Sequence, residues 1–305
     1  MQTENAPEIS VIICTYNTKE LTFDCLQKLE KSAKRLGRKV EIIVVENGTD
    51  GTGEAIEKIF PGVKVITPKE NTGFAKGNNI GLEASNKNSK YVLLLNSDAL
   101  VNPDTLKKSV EFMEKNPDCD VMGPRLKFAN GRFQPSAGFL PKPFSIATWI
   151  SGADLVPALS HSIRQFHPKY KSFFEKTREV GWVMGAYFFA RREVLEKTKG
   201  FDTTFFMYLE EVDLCKRIKD MGMKIFYTPD FEITHLDKAS VGGDWRKPTI
   251  REIQGIAYYM KKYYKNHIWW LMPFIKLSLI LRIIAFALIG KFSRSDTYRE
   301  ALISI

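Results

Sequence analysis

The chain has 305 residues, 44% of them hydrophobic and 26% charged, with a net charge of +10. It is too apolar for a disordered chain and long enough to bury a core of ordinary size, as one large domain with an appendage or two modest ones. Its basic balance favours an acidic partner, and because the basic stretches 238–265 and 291–299 flank an apolar run, a membrane surface fits better than DNA.

In chain order, 9–14 (ISVIIC) is a short β-branched run and reads as a buried strand. A helix follows over 19–36, with Leu21, Cys25, Leu29, Ala33 and Leu36 on one face. The apolar run 40–45 is a second strand. A short helix over 54–60 ends at Pro61-Gly62, and 63–67 is a third strand. Helix 73–84 and strand 91–95 come next. Asn102-Pro103 then looks like an N-cap with proline in the first turn, opening a helix to about Lys115.

Four strand–helix alternations predict a mostly parallel sheet with helices on both faces, and ligands at the carboxyl ends of its strands. The loops to watch are therefore 15–18, 46–53 and 96–100. Between 124 and 179 the pattern weakens and prolines punctuate it, which suggests a variable insertion serving as lid or acceptor wall. Order returns at 180–190, then come a helix at 191–197, another at 209–221 and a strand at 224–228.

Residues 249–265 have the spacing of an amphipathic helix. Residues 268–290 carry only two charges, Lys276 and Arg282, and are long enough to span a bilayer. An arginine near the centre of a span costs about 2.5–3.5 kcal/mol. Together with Pro273, a kink or boundary, this favours a helix or helical hairpin lying in the interface, with a true span second. Cys14, Cys25, Cys119 and Cys215 form no CxxC pair, which points to a reducing compartment. The polar N-terminus lacks a signal-peptide core, so the expected location is the cytoplasmic face of the cell membrane, peripheral or monotopic.

The loops carry recurrent chemistry. VIICTYN (11–17), VVENGTDGT (44–52), NTGFAKGNN (71–79) and LLLNSDA (93–99) fall at strand ends in order. GWVMGAYFFARREVLEKTKGFDTTFFMYLEEVDLCKR (181–217) and THLDKASVG (234–242) follow. Together they resemble the family-2 inverting glycosyltransferases of GT-A fold, closest to the rhamnosyltransferase-like branch, over roughly residues 8–242. The resemblance implies a catalytic domain over 1–242 and a helical, membrane-associating extension over 243–305. It also implies transfer of a sugar from a nucleotide-diphosphate donor to a saccharide hydroxyl, in cell-surface polysaccharide synthesis. dTDP-rhamnose is the first donor to consider and UDP-hexoses the next; the acceptor implied is lipid-linked, on a polyprenyl diphosphate.

By the same resemblance Thr15, Tyr16 and Asn17 edge the base and ribose, and Glu46, where relatives usually carry Asp, bonds one of them. Gly73, Lys76 and Asn79 lie on the third crossover; Lys76 either reaches the nucleotide phosphates or is a solvated surface lysine. Asn96-Ser97-Asp98 stands where a DxD motif holds a divalent cation, Mg²⁺ or Mn²⁺. Asp98 is its remaining carboxylate and His235 a second candidate ligand. Two adjacent acids, Glu210 and Glu211, open a helix. The dipole alone favours acids there, but the resemblance makes Glu211 the base that takes the acceptor proton, with Glu210 as fallback. Gly185-Ala186 lets backbone approach the donor. Trp182 either stacks on sugar or acceptor or belongs to the core. Asp213 has a pairing partner four residues on in Arg217.

Other classes fare worse. A dehydrogenase or P-loop enzyme needs glycine-rich loops that are absent. A nucleotidyltransferase needs a basic glycine-rich loop after the first strand, where this chain has CTYNTKE. No aromatic-basic groove supports nucleic-acid binding. Asn96 in place of Asp keeps open a nucleotide-sugar-binding but catalytically degenerate membrane-surface protein. A homo-oligomer is compatible with all of this.

Overall fold

The computed structural model describes residues 6–153, 164–168, 170–236 and 245–305. Residues 237–242 of the last motif therefore lie outside it, as does part of the 124–179 segment.

The strands are β1 (Ile9–Thr15), β2 (Val40–Glu46), β3 (Val63–Ile66), β4 (Tyr91–Asn96), β5 (Ala99–Leu100) and β6 (Val121–Lys127). They continue as β7 (Phe133–Gln134), β8 (Ala137–Gly138), β9 (Arg178–Glu179), β10 (Trp182–Val183), β11 (Tyr187–Arg191) and β12 (Ile225–His235). The helices are α1 (Lys19–Leu36), α2 (Thr52–Ile59), α3 (Gly73–Ala84), α4 (Thr105–Lys115) and α5 (Pro143–Ser151). After them come α6 (Arg192–Thr198), α7 (Glu210–Asp220), α8 (Arg246–Tyr263), α9 (Ile268–Leu288) and α10 (Phe292–Ile303).

The main sheet runs β3-β2-β1-β4-β11-β6-β12-β5. β1 to β4 pair in parallel, β11 runs antiparallel to β4 and β6, and β12 is parallel to β6. Core side chains divide between the two faces. Leu26, Leu29, Ile56, Leu106 and Val110 from α1, α2 and α4 pack on one. The other is covered by apolar residues of α5 to α9, among them Ile146, Leu195, Leu214, Ile256 and Leu271.

Helix α3 lies directly on this second face. Gly77 and Gly81 make the approach possible, since a Cβ at either would collide with Cys14 or Ile12 of β1. That closeness aims the N-terminus of α3 at the ends of β1 and β2.

Three expectations are revised. The segment 124–179 is not featureless: β6 is an interior strand, continuing past Pro124 because β11 bridges it only at Val121 and Met122. β12 extends beyond residue 228 to His235, through a bulge between Thr228 and Glu232 that accommodates Pro229. Asn102 does not cap α4, which starts at Thr105. The Asn102 amide donates instead to the Glu232 carbonyl (2.8 Å), tying the loop after β5 to β12.

At the C-terminal end, α9 is one helix through Pro273, not two pieces. Leu271, Met272, Ile275 and Leu279 form its buried face, and it packs along α10 and against α5. Arg282 is satisfied within the protein. It donates to the Ile150 carbonyl at the end of α5 (2.6 Å) and to the Tyr298 hydroxyl (3.2 Å).

Candidate active site

At the carboxyl end of β1, Thr15 is buried. Its hydroxyl meets Thr18 (2.9 Å) and Thr22 (2.8 Å), and Thr18 reaches Ser97 (3.1 Å). Thr15 and Ser97 therefore brace the loops after β1 and β4 against each other, and the side chain free to meet a planar ligand is the exposed Tyr16. Asn17 sits at φ 50°, in the left-handed region, and its carbonyl accepts the Thr49 amide (2.8 Å).

Glu46 is buried at the end of β2. One carboxylate oxygen accepts from the Thr67 hydroxyl (3.3 Å), and the other has no partner. A buried unpaired acceptor is costly, and a donor from a ligand would relieve it. Next to it Asn47, which sequence reasoning passed over, holds the Gly73 carbonyl and the Thr72 hydroxyl.

Gly73 has φ 75°, and a Cβ there would lie 2.7 Å from Phe206, so the start of α3 touches the loop that leads to the acidic pair. Lys76 is exposed on α3 and forms no ion pair among the described residues. Asn79 faces away from the cleft: its carbonyl accepts the Phe201 amide (2.8 Å) and its amide donates to the Phe201 carbonyl (2.9 Å). It clamps the chain beyond α6.

On the opposite side of the β4 end, Asp98 is 8% exposed. His235 is brought to it because β12 pairs with β5, His235 opposite Ala99. The His235 Nε2 atom lies 3.3 Å from Asp98 Oδ1 and 3.3 Å from the Asn96 amide nitrogen. Its Nδ1 lies 3.2 Å from Gln134 Oε1 on β7. Asn96 Oδ1 is buried without a partner. A carboxylate and an imidazole nitrogen face each other here, and the adjoining Asn96 keeps a buried amide oxygen without a partner; that donor set fits a hard divalent cation whose remaining ligands would be waters and phosphate oxygens. Among the described residues no group of three or more acidic, His or Cys side chains gathers, so the fit depends on a phosphorylated ligand.

Glu210 and Glu211 open α7 after two consecutive non-glycine residues in the left-handed region, Tyr208 (φ 72°) and Leu209 (φ 71°). Such backbone costs about 1–3 kcal/mol per residue and persists where its surroundings impose it. Helix α8 supplies those surroundings: Gly255 lies so close that a Cβ would stand 3.0 Å from the Tyr208 carbonyl. Burial pushes the Glu210 carboxyl well above its usual range, and the neighbouring Glu211 charge adds to the shift. Burial raises Glu211 to about 7, held back by backbone N–H donors including Gly185. One oxygen of each carboxyl has no partner.

Asp213 is fully buried and pairs with Arg217 (2.9 Å), as its spacing predicted. Lys262 (2.5 Å) and the Tyr263 hydroxyl (2.7 Å) of α8 add to that pair, and nothing local in the sequence announces them.

The turn Gly185–Ala186 joins the two acidic sides. Its first residue donates to the Glu211 carboxylate, and the Ala186 carbonyl accepts the Asn96 amide (3.2 Å). Glu211 and the end of β4, two residues before Asp98, are thus tied to one short stretch of backbone, although they are far apart in sequence. Trp182 is not part of this wall. It is 2% exposed, its indole donates to the Phe166 carbonyl (3.0 Å), and it packs against Phe166 and His167, as a core residue does.

A buried carboxyl raised to about 7, a cation-compatible acidic corner and an exposed aromatic loop are compatible with group transfer from a nucleotide. A model of glycosyl transferase family 2 matches residues 10–213, about two thirds of the chain. The chain belongs to that family. A second model, glycosyl transferase family group 2, matches residues 153–303.

The N-acetylglucosaminyl-diphospho-decaprenol L-rhamnosyltransferase of Mycobacterium tuberculosis is 27% identical over 68% of this chain and 70% of its own. The rhamnosyltransferase WbbL of Escherichia coli is 24% identical over 70% and 78%. Among solved structures, the mannosyltransferase PcManGT of Pyrobaculum calidifontis, in complex with GDP-Man and Mn²⁺, covers 98% of this chain and 87% of its own. Its TM-score is 0.59 at 17% identity. Staphylococcus aureus TarS 1–349 with UDP-GlcNAc covers 96% and 91%, with a TM-score of 0.53 at 16% identity. The protein is a glycosyltransferase of GT-A fold, similar to the rhamnosyltransferase branch of its family.

Proposed function

We propose that this glycosyltransferase transfers a sugar, with L-rhamnose from dTDP-rhamnose the first candidate, to a hydroxyl of a saccharide carried on a polyprenyl diphosphate. The two rhamnosyltransferase relatives support the donor, and the lipid-linked acceptor in the name of the mycobacterial one supports the acceptor. The observation that carries the chemistry is the Glu211 carboxyl, raised to about 7 and bound to the same turn that holds the Asp98 loop.

Glu211 takes the proton of the acceptor hydroxyl as that oxygen bonds to the anomeric carbon. The bond from that carbon to the diphosphate oxygen breaks in the same displacement, the nucleoside diphosphate departs with the electron pair, and the configuration inverts. Glu210 is raised by burial and by the neighbouring Glu211 charge, so the two carboxyls do not ionise together easily, and Glu211 is the one assigned the base role. Tyr16, Asn17 and Glu46 bind base and ribose, and Gly73 with Lys76 line the phosphate side. Asp98, His235 and Asn96 would hold Mg²⁺ or Mn²⁺, whose charge would stabilise the departing diphosphate.

The acceptor would be met at a membrane surface. The 24-residue helical stretch Lys265–Leu288 is long and apolar enough to cross a bilayer. Its inner face nevertheless docks on α5 and α10, while Leu277, Leu281, Ile284 and Leu288 form an exposed apolar stripe, with Trp269 79% exposed at the N-terminal end. A span would detach α9 from that base and strip Arg282 of the Ile150 carbonyl. An in-plane helix dipping its outer stripe into one leaflet keeps both.

Thermal shift against a panel of nucleotide sugars, with and without Mn²⁺, tests the donor. Ligand at 100 Kd stabilises by about 2.7 kcal/mol. Cation-dependent stabilisation by dTDP-rhamnose above UDP- and GDP-sugars is expected, and a chain that no nucleotide sugar stabilises refutes the reading.

A further inference from the structure

We infer that Gln134 is a positioning residue that holds His235 in the tautomer protonated on Nδ1, leaving the Nε2 lone pair facing Asp98. This rests on the reading that Asp98 and His235 hold a cation. Gln134 closes the short strand β7, paired with β6 opposite Leu126, inside the segment that looked like a mere insertion. Both Gln134 and His235 are buried, so water does not compete for their contact.

An amide oxygen only accepts. Gln134 Oε1 at 3.2 Å from Nδ1 therefore makes a hydrogen bond only if Nδ1 carries the proton. On the ring's other side, the Asn96 amide nitrogen only donates, and its 3.3 Å contact requires a lone pair on Nε2. In a neutral ring both contacts, from different strands, are met by the same tautomer. The consequence appears at Asp98, whose Oδ1 lies 3.3 Å from that lone pair. Two acceptors facing each other repel; a bound cation would take the Nε2 lone pair from the Asn96 amide and turn that repulsion into coordination. The Gln134 contact thus prepares Nε2 as a ligand in advance of binding, as hydrogen bonds behind metal-bound histidines do.

The test uses the full chain labelled with ¹⁵N-histidine. Long-range ¹H–¹⁵N correlation spectra distinguish the tautomers without metal, and a His235→Gln sample identifies which of the four histidines gives the signals. The wild type should show a protonated Nδ1 and a bare Nε2 at His235. Gln134→Leu should shift the ring toward the other tautomer and weaken Mn²⁺ binding, measured by electron paramagnetic resonance with dTDP or UDP present, by about 10–100-fold. Gln134→Glu, which keeps an acceptor, should retain both the tautomer and the binding.

A protonated Nε2 in the wild type overturns the inference. So does a Gln134→Leu protein with unchanged tautomer and unchanged Mn²⁺ affinity. Failure of the wild type to bind Mn²⁺ with either nucleotide overturns the underlying cation reading instead; the two failures are distinguishable because the tautomer is read without metal.

Discussion

Replacing Glu211 by Gln should make the protein more stable and less active, with the stability gain confined to high pH. The carboxyl is raised from its usual 4.5 to about 7 by burial. At 1.36 kcal/mol per pKa unit, holding it charged in the folded protein costs on the order of 3 kcal/mol. The native carboxyl keeps its proton to higher pH than the unfolded chain does. Its contribution to stability is therefore fully present below about 4.5 and is lost as pH climbs through about 7. A glutamine of the same shape still accepts the Gly185 amide and bears no such charge. Urea unfolding of wild type and variant at pH 5 and pH 8 reads the difference: a small gap at pH 5, and a gap approaching 3 kcal/mol in the variant's favour at pH 8. Transfer should fall by about 10²–10⁴-fold, the range for loss of a general base. Equal stability of the two proteins at pH 8, or full turnover by the variant, would refute the assignment.

The same ionisation sets the wild-type rate profile: kcat/KM should rise with pH through an acid limb near 7, where Glu211 loses its proton, and a limb near 4.5 would show an unburied base. Asp98→Ala should abolish the Mn²⁺-dependent part of nucleotide-sugar binding, measured by calorimetry, while unchanged donor affinity would remove its cation role. Leu281→Gln with Ile284→Gln should cut binding to anionic vesicles in a sedimentation assay and leave the unfolding midpoint unchanged, because both residues are exposed. These substitutions are sharper than deleting 266–305, which would remove the buried Leu271, Ile275, Leu279 and Ala301 from the core. Asp213→Ala should destabilise by about 3–5 kcal/mol in urea, since it strips a buried carboxylate from Arg217 and Lys262.

Helices α1 and α3 and strand β3 were legible to within a residue because each rests on local periodicity, and the motif loops were legible because parallel strands deliver them to one edge. β6 was hidden for a physical reason: Pro124 usually disqualifies an interior strand, and only the departure of β11 after Met122 tolerates it. What escaped at the site was non-local. The Gln134–His235 contact spans 101 residues, and the Lys262–Asp213 pair 49. Neither leaves a spacing signature, because each depends on where the sheet closes and where α8 returns. The acidic pair shows how the two kinds of information combine. Two glutamates in a row were visible at once, and so was the dull alternative that the helix dipole attracts them. Choosing between those readings needs the Tyr208–Leu209 backbone and its support from Gly255 of α8, since a dipole alone gives no reason to hold two residues in left-handed strain. The helix that leads into the apolar α9 is therefore also the helix that braces the entry to the acidic pair.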